Sequence, residues 1–193
     1  EIGKIARESD ILFLLDTAQS AGAIPLSIKE LNIDFLAFTG HKSLLGPMGI
    51  GGLVVGERVD LTQFKPLIEG GTGSLSEDEE QPRFMPDFLE SGTPNLPGIA
   101  GLGAAIEWVL ERGVATIKEL EQKMVAQLLG ELKSITKVSI IGHCEGHQGA
   151  VISIVIDGED SGEVGFRLDR EFSIACRVGL HCSPTTHKTL GTF

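Results

Sequence analysis

Polar side chains of different chemistry directly follow two short apolar runs near the start of the chain. They are Asp16, Gln19, Thr39, His41 and Lys42. The apolar runs that precede them, Ile11 to Leu15 and Phe35 to Phe38, predict two buried strands. Because ligands of open α/β sheets collect beyond the carboxyl ends of the strands, we expect these side chains to face one crevice. A carboxylate, an amide, a hydroxyl, an imidazole and an amine are then available to a ligand there.

Two of these residues also have an ordinary structural interpretation. Asp16 can be a turn or capping carboxylate at the end of a strand. A lysine such as Lys42 usually lies on the surface. Its apolar neighbours Phe38, Leu44 and Leu45 instead predict partial burial, which favours the neutral amine that Schiff-base chemistry requires.

The predicted strands and helices that must position these residues alternate in an α/β pattern up to about residue 112 and follow an α+β pattern after it. Further strands are predicted at Ile50 to Val55, Val138 to Ile141, Ala150 to Ile156 and Ser173 to Arg177. Helices are predicted at Ile28 to Leu31, Ile99 to Arg112, Ile117 to Leu132 and Glu163 to Phe172. We therefore expect an α/β domain over residues 1–112 and an α+β domain over residues 113–193.

Charge, hydropathy and cysteine usage argue against several classes of function. The chain has 193 residues, 27 acidic and 16 basic, and it lacks a Lys/Arg run, which argues against a nucleic-acid partner. Its apolar runs fall far short of the ~20 residues that span a bilayer, so no membrane segment is expected. The 3 cysteines do not form a secreted disulfide framework and favour a reducing, cytoplasmic setting. Because Glu1 opens the chain without an initiator methionine, we expect a piece of a longer polypeptide.

Two further patterns are weak signals. His143, Cys144 and His147 are possible zinc ligands, but no fourth ligand accompanies them, so a structural turn is favoured and no metal is expected. The glycine-rich stretch from Gly70 to Ser74 lacks the strand before it and the helix after it that a nucleotide-binding loop requires. A dinucleotide-binding domain is therefore disfavoured.

Ordered blocks of residues carry a resemblance to a known family. They are Asp16-x-x-Gln19, Thr39-Gly40-His41-Lys42 with Gly46-Pro47-x-Gly49-x-Gly51, Glu90 to Asn95, and Arg177 to Pro184. Together they resemble the class V aminotransferase group of pyridoxal phosphate (PLP) enzymes, and within it the SufS-like cysteine desulfurases. The resemblance implies a fold type I transferase, with part of the large PLP-binding domain followed by part of the small C-terminal domain. It also implies L-cysteine as substrate, a sulfur-acceptor protein or thiol, and a homodimer.

The resemblance assigns roles to the residues at the predicted crevice. Lys42 would bind PLP covalently and later move the α-proton of the substrate. Asp16 would pair with the pyridine nitrogen, and Gln19 would hydrogen-bond the phenolic oxygen. Thr39 and His41 would bind the phosphate, because a hydroxyl and an imidazole beside a glycine turn suit an anion.

Two roles fall outside that crevice. Thr93 would reach the phosphate of the neighbouring subunit, although a helix-entry threonine before Pro94 is the alternative. Cys182 would attack the sulfur of the substrate and become a persulfide, with release of L-alanine. The nearby Arg177 and His181 would favour its thiolate. Cys176, in a predicted strand, is expected to pack in the interior.

The alternatives are another class V PLP enzyme, namely an aminotransferase, a selenocysteine lyase or a C–S lyase, and a truncated module without catalysis. In the family, the residue that stacks on PLP precedes the position of Asp16. The arginine that binds the substrate carboxylate follows the cysteine loop. Since both positions lie outside the chain, we expect these 193 residues alone to be inactive.

Overall fold

A computed structural model of the chain describes residues 1–75, 77–143 and 148–193. The helices are α1 (Ile2–Glu8), α2 (Leu96–Arg112), α3 (Val114–Leu132), α4 (Ser161–Phe172) and α5 (Pro184–Leu190). The strands are β1 (Leu14–Asp16), β2 (Phe35–Thr39), β3 (Gly51–Val55), β4 (Val138–Ile141) and β5 (Ser153–Ile156). In this described part of the chain, none of the helices combines the length and the apolarity needed to cross a bilayer.

The chain forms two compact units, Glu1–Lys118 and Glu119–Phe193. The division falls within α3, whereas the sequence predicts a boundary before that helix, at residue 113. Helix α3 is continuous because its sequence contains neither proline nor an early glycine that would end it. The assignment of the two parts to a large and a small domain stays a prediction.

A three-stranded sheet forms the centre of the first unit, in the order β1-β2-β3. Strand β1 runs parallel to β2, and Asp16 lies opposite Ala37. Strand β3 runs antiparallel to β2, and Gly51 lies opposite Thr39. The backbone N–H and the hydroxyl of the fully buried Thr17 both donate to the carbonyl of Ala37, at 2.7 and 2.8 Å. The carboxyl ends of β1 and β2 are thereby joined at the same edge of the sheet.

Helix α2 packs on the loop that follows β2. An ideal Cβ on Gly40 or on Gly46 would lie 3.1 or 2.9 Å from Cδ1 of Leu102, so glycine at both positions lets the helix approach the loop. Leu102 and Val109 are buried on one face of α2. The side chain of Asn95 caps the helix by accepting from the N–H of Gly98 at 3.1 Å.

A buried carboxylate crosslinks the end of the sheet opposite to the predicted crevice. Asp34, 2% exposed, accepts from Nε and Nη2 of Arg58 at 3.0 and 2.9 Å and from the N–H of Phe13 at 2.8 Å. The hydrogen bonds from Arg58 hold the pKa of Asp34 at about 2. No local sequence pattern indicates this pair.

Two predictions in the first unit are corrected. The segment Ile28 to Leu31 is a hydrogen-bonded turn and not a helix, because Asn32 adopts the left-handed φ of 52° and ends it after one turn. The apolar run that begins at Ile11 becomes a strand only at Leu14, since the N–H of Phe13 is taken by the carboxylate of Asp34. Strands β2 and β3 and helix α2 are confirmed, with ends that differ by a few residues.

The second unit contains the antiparallel pair β4-β5 and the capped helix α4. Strand β4 is confirmed at its predicted bounds, and β5 and α4 are confirmed with shifted starts. The predicted strand Ser173 to Arg177 is wrong, because this segment has no strand beside it in the described part of the unit. The expected burial of Cys176 is also wrong, since without a covering strand its side chain is exposed.

Candidate active site

Asp16 ends β1 and begins the turn that contains Gln19. One oxygen of its carboxylate accepts from the N–H of Ala18 at 2.8 Å, so the turn interpretation is correct for that oxygen. Asp16 and Gln19 are both exposed. Because Thr17 between them is fixed to β2, the carboxylate is held on a rigid backbone.

Thr39 and His41 lie together at the end of β2. Oγ1 of Thr39 and Nδ1 of His41 are 3.1 Å apart, within hydrogen-bond distance. The glycine between them is buried, and its N–H donates to the carbonyl of Ile50 at 2.8 Å. A hydroxyl and an imidazole therefore project from a fixed turn, which suits the recognition of an anion.

Lys42 lies in a closed loop between Gly40 and Gly46. The N–H of Gly46 donates to the carbonyl of Gly40 at 2.7 Å, and the N–H of Leu45 donates to the carbonyl of Lys42 at 2.8 Å. The expected partial burial of Lys42 is wrong, since its side chain is exposed in the described structure. The flanking Leu45 is itself 58% exposed, with a left-handed φ of 60°, and does not cover the amine.

The two polar segments contact each other through their backbones. An ideal Cβ on Gly22 would lie 2.5 Å from the carbonyl oxygen of Ser43, the residue after Lys42. The turn that follows Asp16 is therefore packed against the lysine loop. This contact, together with the parallel pairing of β1 and β2, brings Asp16, Thr39 and the lysine loop to one edge of the sheet.

Thr93 is exposed and lies two residues before Asn95, the cap of α2. Nδ2 of Asn95 donates to the carbonyl of Gly49 at 3.4 Å, which connects this segment to the loop after Lys42. Thr93 does not cap the helix, because the capping oxygen belongs to Asn95. The alternative of a helix-entry threonine is therefore not supported by a capping contact.

Cys182 lies in the second unit, immediately before Ser183 and α5, and is exposed. The turn that presents it is closed by the N–H of Ser183, which donates to the carbonyl of Leu180 at 3.2 Å. The ring centroids of His181 and His187 are 6.4 Å apart. His187, on a helix that the sequence analysis did not predict, adds a second imidazole close to His181.

The possible zinc motif is only partly described. Nδ1 of His143 lies 3.1 Å from Oε1 of Gln148. Cys144 and His147 lie outside the described residues. The prediction of a structural turn there stays a prediction.

The residues at the sheet edge fit PLP in the chemistry of their donors and acceptors. The acidic Asp16 suits a protonated ring nitrogen, the amide of Gln19 suits a phenolic oxygen, and Lys42 supplies a primary amine. Thr39 and His41, already paired with each other, suit a phosphate. All of these side chains are at least partly exposed, so they are accessible to a ligand.

A lysine, a carboxylate and a turn that suits an anion, all at one sheet edge, are compatible with a cofactor-dependent α/β enzyme. A family model described as aminotransferase class V matches residues 1–192, and the chain belongs to this family. A probable cysteine desulfurase of Methanothermobacter thermautotrophicus is 34% identical over 193 residues, which cover 98% of this chain and 48% of the relative. A cysteine desulfurase of Shigella flexneri is 37% identical over 188 residues, which cover 95% of this chain and 45% of the relative.

Solved structures confirm the predicted fold class. An apo cysteine desulfurase from Thermococcus onnurineus is similar with a TM-score of 0.87 and 36% identity, covering 98% of this chain and 48% of that one. A cysteine desulfurase from Escherichia coli is similar with a TM-score of 0.85 and 28% identity, covering 97% of this chain and 46% of that one. The fold is therefore the α/β fold type I of the cysteine desulfurases. The chain spans about half the length of the relatives it matches.

Proposed function

We propose that the chain is part of a PLP-dependent cysteine desulfurase, which moves sulfur from L-cysteine to an acceptor protein or thiol and releases L-alanine. The observation that carries the proposal is the parallel pairing of β1 and β2, since it joins Asp16 and the Thr39 to Lys42 block at one sheet edge. The relatives named cysteine desulfurase support the substrate class. The enzyme acts in the cytoplasm, consistent with its few cysteines.

Each residue at the sheet edge has a distinct task in this proposal. When bound, PLP supplies a ring that withdraws electrons from the α-carbon of the substrate. Lys42 holds the cofactor covalently and moves the α-proton. Asp16, one oxygen of which accepts from the N–H of Ala18, would keep the ring nitrogen protonated. Gln19 donates to the phenolic oxygen.

The phosphate is held from two sides. Thr39 and His41 bind it within the subunit, where their mutual contact orients both side chains. Thr93 binds the phosphate of the neighbouring subunit, so the functional form is a homodimer. The exposure of Thr93, two residues before the Asn95 that contacts Gly49, supports a role at such an interface.

Sulfur leaves the substrate by transfer to Cys182. The Cys182 thiolate bonds to the sulfur of L-cysteine, the carbon–sulfur bond breaks, and the carbon takes up a proton to give L-alanine. The sulfur is oxidised while the carbon is reduced, so the step balances without an external oxidant. The exposed turn before α5 supports access of an acceptor to the resulting persulfide.

The chain spans about half the length of the relatives it matches, so the activity proposed is that of the complete protein. Residues 1–112 contribute to the large PLP-binding domain and residues 113–193 to the small domain.

Borohydride reduction of the complete protein tests the proposal, because it fixes PLP to the lysine that holds it. We expect the label on the peptide that contains Lys42, and we expect Lys42→Ala to lose both the label and the visible absorbance of bound PLP. Lys29→Ala, a change of another exposed lysine in the same unit, serves as the control and retains both. Labelling of a different lysine, or the absence of bound PLP, contradicts the assignment. Equimolar alanine and sulfide from L-cysteine and a reductant then test the reaction.

A further inference from the structure

A single glutamine side chain connects the otherwise irregular segment that precedes Thr93. Gln81 is 8% exposed, although it lies in a stretch without helices or strands. Its Oε1 accepts from the N–H of Gly70 at 3.2 Å, and its Nε2 donates to the carbonyls of Asp87 and Glu90, the latter at 3.0 Å. Because a primary amide offers one acceptor and two donor hydrogens in one plane, no other side chain of this size can make all three contacts.

Neighbouring contacts strengthen the same connection. The hydroxyl of Ser74 donates to the carboxylate of Asp87. The segment 70–75 is therefore joined to the segment 87–90 both through Gln81 and through Ser74. Gly70 also packs near Ser91, since an ideal Cβ on Gly70 would lie 3.8 Å from Cβ of Ser91. The Gln81 amide therefore fixes where residue 90 lies relative to Gly70 and Asp87 within this segment.

Thr93 lies between two anchors. On its N-terminal side Gln81 holds the carbonyl of Glu90, and on its C-terminal side Asn95 caps α2 and contacts the carbonyl of Gly49. Gly92, with a left-handed φ of 79° and open space where a Cβ would lie, separates the first anchor from Thr93. Without the contact at Glu90, the N-terminal side of Thr93 would lose its hydrogen bond from a buried side chain.

We infer that Gln81 is the positioning residue that presents Thr93 to the PLP phosphate of the partner subunit. The inference rests on the proposed function, since it assigns Gln81 a task only if Thr93 binds that phosphate. Gln81 itself touches neither cofactor nor substrate. It acts through the backbone at Glu90.

The test compares PLP with pyridoxal, which lacks the phosphate, as ligands of the complete protein. Binding of each is measured by the change in absorbance on titration of cofactor-free protein. We expect Gln81→Met to raise the dissociation constant of PLP about tenfold, because it removes the buried contacts to Gly70, Asp87 and Glu90, and to leave that of pyridoxal within about twofold. Gln81→Glu keeps the acceptor for Gly70 but loses both donors, and it behaves in the same way.

Two controls separate positioning from general damage. Gln63→Met changes an exposed glutamine of the same unit and leaves both constants unchanged. Thr93→Val also weakens PLP selectively, and adding Gln81→Met to it causes little further loss, because both changes remove the same phosphate contact. If Gln81→Met weakens PLP and pyridoxal equally, weakens neither, or adds fully to Thr93→Val, the inference is wrong. If the unsubstituted protein binds no PLP, the proposed function fails and the inference fails with it.

Discussion

Gly22 and Ser43 meet backbone to backbone, with room for no side chain between them: an ideal Cβ on Gly22 would lie 2.5 Å from the carbonyl oxygen of Ser43. Gly22 also has a φ of 84°, in the left-handed region that favours glycine. The contact joins the turn after Asp16 to the loop that carries Lys42. The relative position of the carboxylate and the amine therefore depends on a residue that has no side chain.

We expect Gly22→Ala to lower the free energy of unfolding by about 3 kcal/mol, because left-handed strain and the clash with Ser43 add together. Gly73→Ala is the matched control, since Gly73 has a φ of 83° but open space where a Cβ would lie. It is expected to lose only about 1 kcal/mol. Urea unfolding of the complete protein, followed by far-ultraviolet circular dichroism, measures both. Equal losses in the two variants would show that the contact contributes nothing beyond strain.

Local patterns were sufficient to predict the elements with strong periodicity or continuous apolar runs. Strands β2 and β4 and helix α2 have such patterns, and the structure places them close to the predicted bounds. The sheet-edge residues were found because parallel strands end at the same edge. The predicted burial of Cys176 failed because it depended on a strand from Ser173 to Arg177. That run has the composition of a strand, but a strand also needs a neighbouring strand, which a local pattern cannot reveal.

Contacts between distant residues could not be predicted from one sequence. Asp34 and Arg58 are 24 residues apart, and nothing in their local patterns indicates that they pair. The same holds for Gln81, which lies between Glu80 and Pro82 in a stretch with the composition of a solvated loop. Burial of such polar side chains depends on partners that only the folded chain brings together.

The Asp34–Arg58 pair predicts an acid-dependent loss of stability. Asp34→Asn leaves the guanidinium of Arg58 without its main counter-charge, and we expect a loss of about 2 kcal/mol at pH 7. Asp10→Asn removes an exposed carboxylate from the same guanidinium and is expected to lose less than about 1 kcal/mol. Urea unfolding of the complete protein, followed by far-ultraviolet circular dichroism, compares the unsubstituted protein with the two variants. A loss as small for Asp34→Asn as for Asp10→Asn would contradict the importance of the buried pair.

The difference in free energy of unfolding between the unsubstituted protein and Asp34→Asn should depend on pH. Folding lowers the pKa of Asp34 from 3.8 to about 2, so the ionised carboxylate stabilises the native state by at most about 2 kcal/mol. This contribution is present above about pH 4 and is lost as the pH falls through about 2. The difference between the unsubstituted protein and Asp34→Asn should therefore shrink over this interval. A difference that stays constant would show that packing, and not charge, is lost in the variant.

Asp16→Asn separates the charge of Asp16 from its role in the turn. The amide oxygen of asparagine can still accept from the N–H of Ala18, so we expect the turn and PLP binding to persist. Exchange of the substrate α-proton with deuterium, followed by NMR, is expected to slow by about 100-fold or more, because the carboxylate no longer holds the ring proton. Asp16→Ala loses the turn contact as well and should bind PLP more weakly. Undiminished exchange in Asp16→Asn would remove the proposed role.

Exposure alone does not distinguish the two described cysteines, because Cys176 and Cys182 are both exposed. Their settings differ: Cys182 lies in the turn before α5, next to His181. With L-cysteine and no acceptor, we expect an extra sulfur on the peptide that contains Cys182 and none on the peptide that contains Cys176. Peptide mass analysis of the complete protein after alkylation under non-reducing conditions measures this directly.

Cys182→Ser is expected to retain PLP and to bind L-cysteine, since the proposed function assigns both to Lys42 and its neighbours in the first unit. It should lose sulfur transfer, because an alcohol is a far weaker nucleophile toward sulfur than a thiolate. Cys176→Ser is the matched control, an equally conservative change at an exposed cysteine six positions earlier, and it should keep full turnover. Full turnover by Cys182→Ser, with the reductant unchanged, would favour direct elimination of sulfide and would assign the protein to the lyases. Loss of turnover in both variants would instead point to a role of the whole segment rather than to one nucleophile.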